Sequence, residues 1–248
     1  INWGRLLPQI VYYFAAYLNL VNQKAIAYGD NVDFVVPTGN FGNILAAWYA
    51  GQMGLPVGKL VCASNKNRIL TDFFATGVYD RRRDFFQTNS PSMDILISSN
   101  LERLLYHMTG EDDAQIREWF GALKSDGKYQ ISLELTHRIQ AEFSGSFWDD
   151  AATKAMIGKV FSENRYLSDT HTAVGICAAR DYQAKCADTY PMLIASTANP
   201  YKFGNAVLEA IGGDTNADEY EILDRLAARS GMKIPAALAE LKTKAVRF

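Results

Sequence analysis

Cysteine and histidine are scarce in this sequence, three of each in 248 residues. Cys62, Cys177 and Cys186 lie far apart, form no Cys-x-x-Cys pair and are odd in number. That argues against a disulfide framework and leaves too few soft ligands for a structural zinc site. The expected state of all three is a buried or half-buried thiol in a reducing, cytoplasmic compartment. Long apolar runs are missing as well. A membrane-spanning helix needs about 18 consecutive apolar residues, and the best candidate, Ile10 to Val21, is interrupted by Asn19 and carries Tyr12, Tyr13 and Tyr17. Nor does one sign of charge dominate: 25 Lys and Arg stand against 27 Asp and Glu, a net charge of −2. This balance speaks against a nucleic-acid partner, and the lack of a basic amphipathic helix speaks against a membrane partner. No internal repeat or low-complexity tract occurs.

What is present suits a folded domain. Hydrophobic residues make up 48% and aromatic residues 12% of a chain long enough to bury a real core. The chain opens at Ile1 rather than Met and runs abruptly into Asn2-Trp3-Gly4-Arg5, as a piece cut from something longer would.

Hydrophobic periodicity predicts a helix over Leu6 to Leu20, with Pro8 in its first turn. Val32 to Val36 is a β-branched and aromatic run of the kind that forms a buried strand. It stops at Pro37-Thr38-Gly39-Asn40-Phe41-Gly42-Asn43. A helix over Ile44 to Met53 and a strand over Leu60 to Ala63 follow. Strand, glycine-rich turn, helix and strand make a βαβ unit, and hence a parallel sheet. Further helices are expected over Leu101 to Met108, Glu111 to Leu123, Asp149 to Asn164 and Thr172 to Lys185, with a strand over Pro191 to Ala195. A tail from Asp218 to Lys244 also has helical spacing. Arg81-Arg82-Arg83-Asp84 reads as a solvated charge cluster. The fold class is α/β, a parallel-rich sheet flanked by helices.

Three stretches could carry chemistry. The turn from Thr38 to Asn43 lets the backbone fold tightly and aim a run of N–H groups inward, in front of a helix N-terminus at the carboxyl end of a parallel strand. This is a place for a phosphate dianion, held by amides alone because the turn contains no Lys or Arg. It is neither a Walker loop nor a dinucleotide-binding turn, and spacing alone equally allows an ordinary strand-to-helix turn with Asn as cap. Ser168-Asp169-Thr170-His171-Thr172 starts another helix and puts His171 at its mouth; a capping loop with one exposed histidine is the alternative. Ser196-Thr197-Ala198-Asn199-Pro200 ends a strand with hydroxyl groups, where ligands bind in α/β sheets, or is a plain turn.

Four blocks taken together resemble threonine synthase, a pyridoxal-phosphate (PLP) enzyme of the tryptophan-synthase-β type. They are Pro37 to Asn43, Ser90-Pro91-Ser92-Met93-Asp94-Ile95, Asp169-Thr170-His171-Thr172-Ala173-Val174-Gly175 and Thr197-Ala198-Asn199-Pro200-Tyr201-Lys202-Phe203. The opening, Ile1 to Gln9, resembles the family too. The resemblance spans about 1–212, weakly over 110–150, and implies a PLP-binding large-domain portion over 1–212 with a variable, partly helical insert at 110–150 and a helical tail over 213–248. It implies that Gly39, Asn40, Phe41, Gly42 and Asn43 contact the PLP phosphate and that the Thr197 hydroxyl faces the pyridine nitrogen. Arg5, His171 and Lys202 are then candidates for the substrate's own phosphate. The reaction implied is O-phosphohomoserine plus water to threonine plus phosphate.

Three positions depart from the family's pattern. Asn43 stands for an Asp, Thr170 for a Pro and Asn199 for a His, which puts the role of Asn199 in doubt. The family's cofactor-bonding lysine sits in a Phe-Lys-Asp context that this chain lacks, so it is expected upstream, in a fold that is incomplete here. No catalytic residue is then expected in this chain, which alone would be inactive or feeble and prone to self-association. A related phospholyase, or a non-catalytic anion-binding module of the same fold, stays open as an alternative.

Overall fold

A computed structural model describes residues 3–186 and 190–245. Ile1 and Asn2 of the opening block therefore lie outside the described residues. In chain order the elements are α1 (Trp3–Asn22), β1 (Val32–Pro37), α2 (Gly42–Gln52), β2 (Val57–Ser64), α3 (Ile69–Thr76), β3 (Val78–Asp80), α4 (Leu101–Met108), α5 (Asp113–Ser125), β4 (Lys128–Gln130), α6 (Leu133–Glu142), β5 (Phe143–Phe147), α7 (Asp150–Asn164), α8 (Thr170–Lys185), β6 (Met192–Ile194), α9 (Gly204–Ala210), α10 (Glu219–Ser230) and α11 (Ala236–Ala239).

The main sheet has the order β5-β2-β1-β6 with every neighbouring pair parallel. All six residues of β1 are buried, because both faces of the sheet are covered. Phe34 and Val36 point to one side, into a cluster with Ile10, Tyr13 and Tyr17 of α1 and Ile44 and Leu45 of α2. Val35 points to the other, with Val61 and Ala63 of β2, against Val174 and Ala178 of α8. A third cluster joins α7, α9 and α10 through Ile157, Val207, Leu208, Ile222 and Leu226. Helices α1, α4 and α10 each bury one apolar stripe, whereas α2 and α8 are buried on most of their circumference against the sheet.

The differences from the expected elements have local causes. Helix α1 starts at Trp3, earlier than expected, and tolerates Pro8 as its sixth residue, where only one intrahelical bond is lost. Helix α2 starts at Gly42 rather than Ile44. The expected single tail helix is broken by Gly231, which takes a left-handed conformation as the C-cap of α10. Periodicity had given no sign of α3, α6, α9 or β5. Strand β5, Phe-Ser-Gly-Ser-Phe, carries too few β-branched residues to announce itself, yet it pairs with β2 from Leu60↔Phe143 to Ser64↔Phe147. Strands β3 and β4 form a separate antiparallel ribbon, on which Tyr79 and Tyr129 stack 5.3 Å apart. Cys62 and Cys177 are buried and Cys186 is half-buried. No helix among the described residues is long and apolar enough to cross a membrane.

Phe41 lies at the junction of sheet and site. Its side chain is completely buried, with ring centroids 6.1 Å from Phe74 and 5.8 Å from Phe143. Truncating a buried phenylalanine removes its transfer free energy and leaves a cavity. Phe41→Ala is therefore expected to lower the unfolding free energy by about 3–5 kcal/mol in urea titrations, whereas a residue serving only to contact a ligand would leave stability near its original value.

Candidate functional site

The carboxyl ends of β1 and β6 open onto one crevice, at the point where the chain leaves β1 for β2 on one side and returns in β6 on the other. Open parallel sheets place ligands at such points. After Pro37 the turn is tied down bond by bond. The Thr38 amide donates to the Ala63 carbonyl (2.9 Å) and its hydroxyl to the Val36 carbonyl (2.7 Å). Gly39 lies against the backbone of the 91–93 turn: a Cβ there would stand 2.4 Å from the Ser92 carbonyl oxygen and 2.9 Å from the Met93 Cα, so only glycine fits. The Ser98 hydroxyl donates to the Gly39 carbonyl (2.7 Å), the Ser99 hydroxyl to Asn40 Oδ1 (2.9 Å), and the Phe41 amide to the Ser99 carbonyl (2.8 Å).

The expected run of inward amides is accordingly shorter than the sequence suggested. Those of Thr38 and Phe41 are already bonded elsewhere, and the Phe41 side chain is in the core. What remains are the amides of Gly39 and Asn40 and those of the first turn of α2. No side chain caps this helix, and the first amides of any α-helix lack an intrahelical carbonyl. Gly42 differs from Gly39: a Cβ on it would meet nothing closer than Asn100 Nδ2 at 3.5 Å and Gln9 Oε1 at 4.0 Å. A methyl group there would sit in ordinary van der Waals contact with both, in a narrow space over the helix end.

That space belongs to a cavity of about 340 Å³. Arg5, Gln9, Gly39, Asn40, Gly42 and Asn43 line it from the α1–α2 side, and Ser92, Asn100, His171, Thr197 and Lys202 from the other elements. Two cations and no carboxylate are among the lining residues. With the positive end of α2, this makes the cavity electropositive. A second cavity of about 430 Å³ adjoins it through Gln9, Asn43 and Thr197 and continues between α1 and β6, past Tyr13, Phe34 and Ile194. Tyr13 fixes Asn43, its hydroxyl donating to the Asn43 carbonyl (3.0 Å) and to Asn43 Oδ1 (2.7 Å).

His171 is not the exposed histidine that the capping-loop alternative called for. It is 3% exposed and packs on Phe203 with ring centroids 4.7 Å apart. Its Nε2 accepts from the Ser92 amide (3.1 Å), which leaves the ring proton on Nδ1, 3.4 Å from Asp169 Oδ1. The ring thus joins the start of α8 to the turn that presses on Gly39. Asp169 caps α8 by accepting from the amides of His171 (2.8 Å) and Thr172 (3.1 Å), and it also takes a short hydrogen bond from the Thr172 hydroxyl. Burial alone would push the Asp169 carboxyl up; the bonds from His171 and Thr172 outweigh it and hold the carboxyl below its ordinary value. Thr197 is exposed at the mouth of both cavities. Asn199, whose role was open, caps the turn over Pro200–Phe203 by accepting from the Tyr201 amide (3.0 Å).

Arg5, Gly39, Asn40, Gly42, Asn43, His171, Thr197 and Lys202 are therefore brought together, and Phe41 is not. Gln9, Tyr13, Ser92 and Asn100 line or brace the same space and were not singled out from the sequence. The i, i+4, i+8 spacing of Arg5, Gln9 and Tyr13 on α1 was the available signal for two of them. No cluster of potential metal ligands occurs among the described residues.

Comparison with known proteins bears on the family and the fold. The family model "Threonine synthase, C-terminal" matches residues 172–248. Threonine synthase of Saccharomyces cerevisiae is 40% identical over 230 residues, which are 87% of this chain and 44% of that protein. A crystal structure of PLP-bound threonine synthase from Brucella melitensis superposes with a TM-score of 0.80 at 42% identity, over 91% of this chain and 47% of that one. The chain belongs to the threonine synthase family. Human threonine synthase-like 1 is also similar, 47% identical over 212 residues that cover 85% of this chain and 28% of its own length. The chain thus spans less than half the length of these relatives. Within the family fold, the parallel sheet and its flanking helices form a partial domain.

The Asp169 cap yields a pH-dependent expectation. A carboxyl held low in the folded state contributes stability above the unfolded value of about 3.9, and that contribution is lost as pH falls through the lower, folded value. Asp169→Ala should lower the unfolding free energy at pH 7 by about 1–3 kcal/mol, from the lost cap and the donors left unpaired. Urea titrations from pH 7 down to pH 3 should also show a shallower fall in stability for the variant; parallel curves would mean that Asp169 is not the group responsible.

Proposed function

We propose that this chain is the portion of a PLP-dependent threonine synthase that holds the cofactor's phosphate and frames the substrate, in the conversion of O-phosphohomoserine and water to threonine and phosphate. The observation that carries the reading is the uncapped first turn of α2, facing a cavity with two cations and no carboxylate on its walls. The residues fit the group. A dianion at this helix end would receive the amides that have no carbonyl partner, and glycine at position 42 puts no side chain between it and the backbone. Membership of the threonine synthase family and the PLP-bound relative support the choice of that cofactor among phosphorylated ligands.

In this reading Gly39 and Asn40 shape the loop, and the amides of Gly42 and Asn43 hold the phosphate. Phe41 contributes from the core, by stiffening the loop rather than by contact. Thr197 would offer its hydroxyl to the ring nitrogen, where a neutral donor would leave that nitrogen without the full positive charge that a carboxylate partner would maintain. Arg5 and Lys202 at the rim attract the substrate's phosphate. His171, with Nε2 already accepting from Ser92, acts by holding the 91–93 turn in place. When bound, PLP supplies the electron sink for carbanion chemistry. No Phe-Lys-Asp tripeptide occurs in the sequence, and the reading assigns the cofactor-bonding lysine to the part of the relatives that this chain does not span.

Two measurements test it. In equilibrium dialysis the 248-residue chain should retain PLP, and Gly42→Ala should weaken that binding about tenfold or more while leaving the melting temperature unchanged or slightly higher. Alanine is the better helix former, and its methyl group would occupy only the space meant for the ligand. The longer parent protein should release phosphate and threonine in equal amounts from O-phosphohomoserine. Undiminished PLP binding by Gly42→Ala would remove the helix-end site, and phosphate release without threonine would remove the reaction.

A further inference from the structure

The Ser90 to Ile95 block contains a carboxylate that the proposed chemistry leaves unused. Asp94 follows directly on the 91–93 turn, whose Ser92 and Met93 line the first cavity, but is not itself among the lining residues. Four hydrogen bonds converge on it. Its Oδ1 accepts from Asn65 Nδ2 (2.7 Å), Asn67 Nδ2 (3.0 Å) and the Thr88 hydroxyl (2.7 Å), and its Oδ2 accepts from the Thr88 amide (2.9 Å). Each of these donors is a neutral amide or hydroxyl. An asparagine could not replace the carboxylate, because its NH₂ group would face a donor in either orientation. The same network grips the chain ahead of the turn. Asn67 clasps Phe86, donating from Nδ2 to the Phe86 carbonyl (2.7 Å) and accepting the Phe86 amide at Oδ1 (3.0 Å), and the Thr88 hydroxyl accepts from the Ser90 amide (3.1 Å). Asn65, Asn67 and Ser90 are all buried. Residues 86–94 are thus fastened to the chain just past β2.

The tip of this segment is exposed at Pro91 and Ser92, so packing alone does not fix it. Yet it forms a wall of the site. The Ser92 carbonyl oxygen lies 2.4 Å from where a Cβ on Gly39 would stand, and the Ser92 amide donates to His171 Nε2 (3.1 Å). The turn therefore has two anchors, His171 on the α8 side and Asp94 on the β2 side. Resting on the phosphate-site reading above, we infer that Asp94 is a positioning residue for that site: it acts through the 91–93 turn, by fixing the Ser92 carbonyl against Gly39 and with it the cavity wall opposite the first turn of α2. A wall ordered in advance spares the ligand the cost of ordering it on arrival.

The test uses the 248-residue chain, with PLP and inorganic phosphate as probes in equilibrium dialysis well below the melting temperature. Asp94→Asn should weaken both ligands about tenfold. Thr88→Val keeps the side-chain shape and removes one donor to Asp94; it should weaken both about threefold and serves if Asp94→Asn does not fold. The deciding readout is coupling to Gly39. In the unsubstituted chain Gly39→Ala drives a methyl group into the Ser92 carbonyl and should weaken binding about tenfold or more. Once Asp94→Asn has released the turn, the same methyl group has room, and adding Gly39→Ala should cost less than about threefold. With Thr88→Val the added cost should fall between these two values. Full additivity in both backgrounds overturns the inference, because a residue that supports only the general fold would not be coupled to Gly39. So does a lower melting temperature with affinity unchanged. If the unsubstituted chain retains neither ligand, the site reading falls and this role with it; if it binds both and the Asp94 and Thr88 variants bind equally well, only the role of Asp94 falls.

Discussion

The site depends on one constraint: the first turn of α2 must be held open at the end of β1, with its amide hydrogens unclaimed by protein. Leaving them so is unfavourable, and the surrounding structure is what keeps the turn from collapsing onto an internal acceptor. Ser92 and Met93 press on Gly39 from one side, Ser98 and Ser99 bind the turn from another, and Tyr13 secures Asn43 from beneath. The His171 ring then links the Ser92 turn to α8, whose Asp169 cap is itself buried. Each of these contacts joins segments distant in sequence, so the cavity exists only when the whole sheet has assembled.

Much of the sheet was legible in the sequence because strands buried on both faces spell continuous apolar runs. Val32 to Val36 is such a run but for Asp33, and the glycine-rich turn that ends it marks the carboxyl edge. Strand β5 was illegible for the opposite reason: its two glycine-flanking serines and single glycine give no β-branched signal, and only pairing with β2 makes it a strand. Helix α6 was hidden because its buried positions, Leu135, Thr136 and Ile139, include a threonine whose place in the core depends on neighbours.

The candidate site divides along the same line. Glycine turns, a strand-end threonine and a helix-start histidine are local patterns, and they converged as read from the sequence. What spacing could not reveal was which amides were already bonded. That depends on Ala63 and Ser99, whose carbonyls reach the turn through tertiary contacts. Likewise His171 reads in sequence as a helix-mouth histidine, either facing a ligand or exposed in a capping loop, and only the arrival of Ser92 and Phe203 makes it a buried connector.

Phe41 has its side chain in the hydrophobic core and stands in the chain between Asn40 and Gly42, which line the cavity. Because these neighbours are joined through it, the loop cannot relax without disturbing the packing of Phe74 and Phe143. The conformational entropy of the loop is lost during folding rather than at ligand capture, so an incoming dianion meets a rigid receptor. By the same linkage, a volume change among those distant aromatic rings would be felt as altered affinity at a surface none of them touches.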